Sequence, residues 1–170
     1  MIAGDRVTLR AAKAADLPFL AGLRSNEALQ RLLASRARGS SIEATKAWVE
    51  RLGTDSAALL FVIADASDDA AVGYIQITGM DLVSRYAELG ICLAPEHQGQ
   101  GLGGEALAAL EQYVARAWNL RKVVLHVLAG NDKAVALYRR HGFVDVGVLR
   151  GHFFYDGTYE DVLVMEHLFG

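Results

Sequence analysis

Alternating apolar and polar positions predict the first elements of the chain. Val7 and Leu9 alternate with polar neighbours, which predicts a strand with one buried face. Asp16 precedes three leucines at helical spacing, and we expect its side chain to cap that helix. A second helix is predicted around Ile42–Leu52, while residues 31–41 between them carry three arginines and show no clear period.

The middle of the chain predicts a run of strands followed by a long helix. Apolar segments over residues 57–64, 72–78 and 86–93 are separated by polar turns, as expected for a meander. After Gly103 the period becomes helical, with one apolar stripe formed by Leu107, Leu110, Val114 and Trp118. This change predicts a helix that leads to the next strand.

The last third predicts one more crossover and a hairpin. Lys122–Leu128 has the pattern of a strand, Asn131 is a good N-cap for a short helix, and Gly142 is placed to end that helix. Two strands follow over residues 144–154 and 158–168, with Asp156-Gly157 as the turn between them. The order predicts one domain over residues 1–170, of α+β or mixed α/β class and not doubly wound.

Composition and charge narrow the possible functions. The 170 residues include 17 basic and 20 acidic side chains, a formal net charge of −3, which disfavours a general nucleic-acid binder. Cys92 is the only cysteine, so no intrachain disulfide can form. No signal peptide and no run of about 20 apolar residues is present, so we expect a cytoplasmic protein without a membrane partner. The histidines and Cys92 lack metal-ligand spacing, and we expect no metal site.

The segment from Pro95 to Gly104 indicates a phosphate ligand. Its glycines lie between a strand and a helix, where backbone amides and the helix N-terminus attract anions. Gly99, Gly101 and Gly104 satisfy the G-x-G-x-x-G pattern of dinucleotide sites, but the following strand contains no acidic residue, which argues against that interpretation. A P-loop is excluded because no Gly-Lys-Ser/Thr follows.

The same loop also has the spacing Q-x-x-G-x-G, through Gln98, Gly101 and Gly103. Together with residues 87–91 and the segment from Asn131 through Tyr138 to Gly142-Phe143, it resembles the GNAT superfamily of acetyl-coenzyme A-dependent N-acetyltransferases. The resemblance implies a mostly antiparallel, strongly twisted mixed sheet of about seven strands with about four helices. It also implies acetyl-CoA as cosubstrate and a primary amine as acceptor.

The resemblance further implies which residues bind the coenzyme. The backbone of residues 91–93 would pair with the pantetheine amides, the glycine loop would hold the pyrophosphate, and the Asn131 side chain would contact the pantetheine arm or only cap its helix. The full set expected to contact the coenzyme is Ile91, Cys92, Leu93, Gln98, Gly99, Gln100, Gly101, Leu102, Gly103, Gly104 and Asn131.

Acetyl transfer to an amine requires a proton acceptor and a proton donor. A lysine-like amine has a pKa of about 10.4, so it must lose a proton before it attacks. The resemblance implies that Tyr138 protonates the departing thiolate, although a tyrosine on the apolar side of a short helix is also a common core residue. For the base, Glu88 is favoured, with a pKa raised if it is partly buried. His126 is the alternative, with an ordinary pKa suited to this role.

The acceptor is left open by the sequence. Residues 147–162 look like the closing hairpin of GNAT branches that acetylate protein N-termini, polyamines and nucleotide-linked amino sugars. A polyamine would favour an acidic cleft, for which Glu160 and Asp161 are available, and the hairpin aromatics could line a pocket or complete the core. The alternative function is a non-catalytic, coenzyme A-binding sensor or regulatory domain. A homodimer is possible.

Overall fold

The computed structural model describes residues 1–169 and contains one eight-stranded sheet in the order β1-β2-β3-β4-β5-β6-β8-β7. The strands are β1 (Ile2–Ala3), β2 (Val7–Arg10), β3 (Leu59–Asp65), β4 (Ala71–Asp81), β5 (Tyr86–Leu93), β6 (Lys122–Leu128), β7 (Val144–Tyr155) and β8 (Thr158–Leu168). Every neighbouring pair is antiparallel except β5 and β6, which are parallel.

Five α-helices connect the strands: α1 (Leu17–Ser25), α2 (Glu27–Leu32), α3 (Ile42–Thr54), α4 (Leu102–Ala117) and α5 (Asp132–Arg140). α4 supplies the crossover between the parallel strands, as the change of period predicts. No helix among residues 1–169 has the length and apolar character needed to cross a bilayer.

The two faces of the sheet bury different clusters. Alternate residues of a strand point to opposite faces. Ala87 and Leu89 of β5 belong to the main core with the apolar stripe of α4, whereas Cys92 belongs to a second cluster with Leu20 of α1 and Trp48 of α3. One face of the sheet is therefore covered by α4, and the other by α1 and α3.

The α+β prediction and the mostly antiparallel sheet are confirmed, and two short elements were not predicted. β1 is only two residues long, and α2 only six, so neither is long enough to show a period in the sequence. With them residues 1–169 contain eight strands in one sheet and five α-helices, compared with about seven strands and about four helices expected.

The predicted cap at Asp16 is wrong. Asp16 lies in a turn of 3₁₀-helix before α1, and its side chain makes no hydrogen bond to that helix. Its carboxylate instead accepts hydrogen bonds from Arg10 (Nη1, 2.7 Å) and from the backbone N–H of Lys13 (2.7 Å). Arg10 also pairs with Asp69, at 2.6 Å. Asp16 and Arg10 are both buried, and their ion pair joins the start of α1 to β2.

We expect Asp16→Asn to lower the free energy of unfolding by about 2–3 kcal/mol, because Arg10 would stay buried with one carboxylate fewer. Burial alone would raise the pKa of Asp16, but the hydrogen bonds from Arg10 and Lys13 lower it below its ordinary value. The stabilisation is therefore present above that ordinary value and is lost as pH falls through the lower folded pKa.

The measurement is urea unfolding of both proteins between pH 3 and 7, with the exposed Asp5→Asn as control. The difference between wild type and Asp16→Asn should shrink below about pH 4. An equal effect of the two substitutions at pH 7 would contradict the role of this ion pair.

Candidate active site

A gap opens between the two parallel strands. β5 and β6 are paired only at Tyr86–Lys122, Ala87–Val123 and Glu88–Val124, although β5 continues to Leu93 and β6 to Leu128. Beyond Glu88 each strand has a sheet partner only on its other side, β4 for β5 and β8 for β6. Exposed strand edges are ready to pair with an added extended chain. Residues 91–93, predicted to pair with pantetheine, lie on this part of β5.

The two candidate bases meet where the gap begins. Oε1 of Glu88 is 3.0 Å from Nδ1 of His126. The side chains are 55% and 38% exposed, so Glu88 is not the partly buried carboxylate that the sequence analysis considered. Because Nδ1 faces the carboxylate, Nε2 is the His126 nitrogen left for another partner. The structure thus joins the two alternatives into one hydrogen-bonded pair.

Tyr138 is buried on α5, only 7% exposed, with its ring centroid 5.5 Å from that of Phe143. Burial, with a smaller contribution from the neighbouring Cys92 thiol, raises the pKa of Tyr138 to about 12. Tyr138 packs in the same core cluster as Ala87 and Leu89 of β5. A tyrosine with this pKa stays protonated at neutral pH and can donate a hydrogen bond. Burial likewise raises the pKa of Cys92 to about 12, so Cys92 is an apolar wall residue and not a nucleophile.

The glycine loop has the geometry of an anion site. Gly99 (φ +74°) and Gly101 (φ +83°) adopt left-handed conformations that other residues rarely reach, and Gly101 is the N-cap of α4. The hydrogen bond from Glu105 N–H to the Gly101 carbonyl, 3.2 Å, closes the first turn. The amides of Leu102, Gly103 and Gly104 precede that bond, so they have no partner within the helix.

Gln98, which the resemblance expects to contact the coenzyme, makes two hydrogen bonds within the chain. Its backbone N–H donates to the Pro95 carbonyl at 3.2 Å, and its side-chain Nε2 donates to the Leu93 carbonyl at 3.0 Å. Gln98 therefore ties the loop to the end of β5, and the amides open to a ligand begin at Gly99. Gln100 also supports the loop, since its Nε2 donates to the Glu96 carbonyl at 2.8 Å.

The bend between β1 and β2, together with the start of β2, holds the loop in place. Nη1 of Arg6 donates to the Gln100 carbonyl at 2.9 Å, and its Nε contacts Oε2 of Glu105 at 3.1 Å. Oε1 of Glu105 accepts the Val7 N–H at 3.1 Å. The roles of Arg6 and Glu105 could not be predicted from the sequence, because 98 residues separate Glu105 from Val7 and no local pattern signals such a contact.

Gly103 and Gly104 are buried where α4 meets its neighbours. A Cβ at Gly103 would lie 3.1 Å from Cδ1 of Leu93, and a Cβ at Gly104 would overlap the His141 imidazole. Larger residues here would push the start of α4 away from β5 and α5. These two glycines therefore set how closely the helix N-terminus approaches the gap.

A second concavity of about 430 Å³ lies at the end of β6, and we call it the hairpin cleft. It is lined by Arg31, Leu32, Leu128, Ala129, Gly130, Asn131, Tyr159, Glu160 and Asp161. Residues 31–41, for which the sequence shows no clear period, close one side of the cleft. Arg31 pairs with Glu160, and Nη2 of Arg36 donates to the Phe154 carbonyl at 2.9 Å. Glu27 of α2 bonds to the Tyr155 hydroxyl.

The side chains expected near the acceptor divide between core and cleft. Phe153 is buried with Leu128 and Val162, whereas Tyr159 is 70% exposed and lines the cleft. Asn131 does cap α5, with its Oδ1 3.3 Å from the Ala134 N–H, and its Nδ2 lies 3.4 Å from the Leu32 carbonyl. Asn131 therefore stands between α5 and the cleft.

Together these features can hold an extended chain in the gap, an anion at the start of α4, and an amine near Glu88 and His126. Comparison with known proteins agrees with this chemistry. Residues 6–144 match the family model described as an acetyltransferase (GNAT) domain.

Two relatives match nearly the whole chain. A spermidine N(1)-acetyltransferase from Vibrio cholerae is 34% identical over 93% of this chain and 90% of its own length. The Escherichia coli K12 protein of the same name is 28% identical over 97% and 87%. The crystal structure of the Vibrio cholerae spermidine N-acetyltransferase in complex with CoA and spermine superposes with a TM-score of 0.89 at 33% identity, covering 96% of this chain and 95% of that one.

A relative named for a different acceptor matches a shorter part of the chain. This ribosomal-protein-serine acetyltransferase from Escherichia coli K12 is 32% identical over 56% of this chain and 53% of its own length. The matched domain, the solved relatives and the gap with its glycine loop lead to the same result. The chain belongs to the GNAT family of acetyltransferases.

Proposed function

We propose that this acetyltransferase transfers the acetyl group of acetyl-CoA to a primary amine of a polyamine. The observation that carries the proposal is the hydrogen bond between Glu88 and His126 at the start of the gap between β5 and β6. That arrangement puts a proton acceptor next to a slot for an extended chain, and Tyr138, which packs in the core cluster of Ala87 and Leu89 of β5, is the candidate proton donor. The relatives named for spermidine, which match over almost the whole chain, support the polyamine.

The residues present fit the coenzyme. The edge of β5 at residues 91–93 can pair with the pantetheine amides, and the amides from Gly99 to Gly104 can bind the pyrophosphate at the N-terminus of α4. Asn131, close to the far end of β6, can contact the pantetheine arm. When bound, acetyl-CoA supplies a thioester whose carbonyl carbon accepts the amine.

Acetyl transfer requires one side chain to accept a proton from the amine and another to donate a proton to the sulfur. A C–N bond forms as the C–S bond breaks, the amine loses a proton, and the sulfur gains one. In our proposal Nε2 of His126 takes the amine proton, directly or through water, while Glu88 holds Nδ1 and stabilises the imidazolium. Glu88 is then a positioning residue. Tyr138, protonated because burial raises its pKa to about 12, donates to the sulfur.

The acceptor chain has a place to extend. Leu128 lines the hairpin cleft and lies two residues beyond His126 on the same face of β6, about 7 Å away. Glu160 and Asp161 both line the cleft, and the negative charge that they bring favours a cationic acceptor. The homodimer expected from the sequence stays a prediction. β7, an edge strand with exposed Val144, Val146 and Val148, is the edge that such a dimer would use.

Gly101→Ala should raise the Kd for acetyl-CoA roughly 10-fold, since a left-handed residue with a Cβ costs on the order of 1–2 kcal/mol and would distort the loop. The added Cβ would also lie 3.0 Å from Nη2 of Arg6. Calorimetric titration measures the Kd. The control is Gly53→Ala in α3, where a Cβ meets no atom within 4 Å and binding should stay unchanged. Equal Kd values for the two variants would argue against the loop as the pyrophosphate site.

Tyr138→Phe should lower kcat for spermidine acetylation by about 100-fold or more, because the hydroxyl no longer protonates the sulfur. The Kd for acetyl-CoA should change by less than about threefold, since the ring is kept. Release of free thiol measures turnover, and Tyr113→Phe, on α4, is the control. If wild type binds acetyl-CoA but acetylates no amine in a panel of polyamines, N-terminal peptides and amino sugars, the chain is a coenzyme A sensor instead.

His126→Ala should lower kcat/KM by about 100-fold at pH 7. The loss should diminish toward pH 10, where the amine loses its proton without help. Glu88→Gln should have a smaller effect, and the double variant should match His126→Ala, because Glu88 acts through His126. Glu50→Gln, which removes an exposed ion pair on α3, is the control. Additive losses in the double variant would show that the two residues act separately.

A further inference from the structure

One ion pair in the hairpin cleft is only partly satisfied. Arg31 of α2 pairs with Oε1 of Glu160 on β8, and the Arg31 guanidinium carbon lies 5.2 Å from the Tyr155 ring centroid. Nε of Arg31 and Oε2 of Glu160 are both buried, and neither has a hydrogen-bond partner within residues 1–169. Buried polar atoms without partners are uncommon in folded proteins. Glu160 thus has one carboxylate oxygen that no donor in this part of the chain uses, while its side chain as a whole is 25% exposed to the cleft.

Glu160 lies at a defined distance from the proposed reaction centre. His126 is opposite Val164 in the β6–β8 register, and Glu160 precedes Val164 by four residues on the same face of β8. At about 3.3 Å per residue, the Cα atoms of Val164 and Glu160 are roughly 13 Å apart along β8. Between them the face carries Leu128 and Val162, both buried and apolar. The face of the sheet between His126 and Glu160 is therefore apolar in the middle and polar at its two ends.

We propose that Glu160 binds the distal ammonium of the acceptor and that Arg31 is its internal competitor, so that the pair selects acceptors by the distance between their amines. This inference rests on the proposed polyamine function. An α,ω-diamine or polyamine with nitrogens about 13 Å apart could place one amine at His126 and the other at Glu160, with its methylene chain over Leu128. A shorter diamine would leave its second charge over the apolar stretch.

Arg31 explains how Glu160 is kept in place without the acceptor. A lone carboxylate in this half-buried position would be costly, and the guanidinium lowers that cost. When an ammonium arrives, it takes over Glu160, and Arg31 retains its contact with the Tyr155 ring. The exchange replaces one ion pair by another, so its net free energy is small. Its sign depends on how closely the ammonium can approach the Glu160 carboxylate. Length selectivity follows from that dependence.

The test is a calorimetric titration of α,ω-diamines of increasing length, and of a monoamine, into the protein saturated with CoA, which permits binding without turnover. Wild type should bind most tightly the diamine whose nitrogens are about 13 Å apart. Glu160→Gln should weaken that diamine about 10-fold and remove the length preference, while the monoamine is unchanged. Arg31→Gln should tighten the same diamine several-fold, because its competitor is gone.

The two variants break the same ion pair, so their opposite effects separate recognition from structure. If both weaken the diamine equally, the pair only stabilises the cleft, and the proposal is wrong. It is also wrong if wild type binds no diamine or if Glu160→Gln keeps the length preference. The control is Asp145→Asn, which breaks an Arg139 pair outside the cleft and should change nothing. Failure of the proposed function would instead show as absent acetylation despite normal diamine binding.

Discussion

The early end of pairing between β5 and β6 is the constraint on which the site depends. Backbone N–H and C=O groups along a strand need partners, and a sheet normally supplies them on both sides. After Glu88 and Val124 the two strands separate, and β6 continues with β8 as its partner. The separated edges form a slot whose walls are backbone, so it can bind any extended amide-containing chain. Chemistry is then added by the few side chains that border the slot.

The N-terminus of α4 lies close to the point where β5 separates from β6. β5 ends at Leu93, a short turn follows, and Gln98 returns to the Leu93 carbonyl before α4 begins. Gly103 and Gly104 let α4 start in contact with β5 and His141, while Arg6 and Glu105 hold the loop to the first strands. The anion site and the slot are therefore parts of one rigid construction. A ligand with a phosphate at one end and amides along its length fits both parts together.

The sequence predicts those parts of the fold that local patterns encode. The meander, α4, the Asn131 cap and the hairpin turn all follow from periodicity, capping residues and glycines, and the structure confirms them. The contacts that build the site are mostly non-local: Glu88 and His126 are 38 residues apart, and Arg31 and Glu160 are 129 apart. Asp16 shows the limit most clearly. Its local sequence favours a helix cap, yet a buried arginine on β2 offers its carboxylate a stronger partner.

The charges on the proposed acceptor side are already paired, so in our proposal the spacing of the amines sets the specificity. Glu88 faces His126, Glu160 faces Arg31 and Glu166 faces Lys122, at 2.7 Å in the last pair. A cationic acceptor therefore meets carboxylates that already have partners, and it gains little by charge alone, because each new ion pair replaces an old one. In our proposal, the position of each acceptor amine along β6 and β8 then determines which exchange of ion pairs is favourable. In the proposed role of the cleft, the ion pairs keep it ordered, and the spacing between them distinguishes one amine from another.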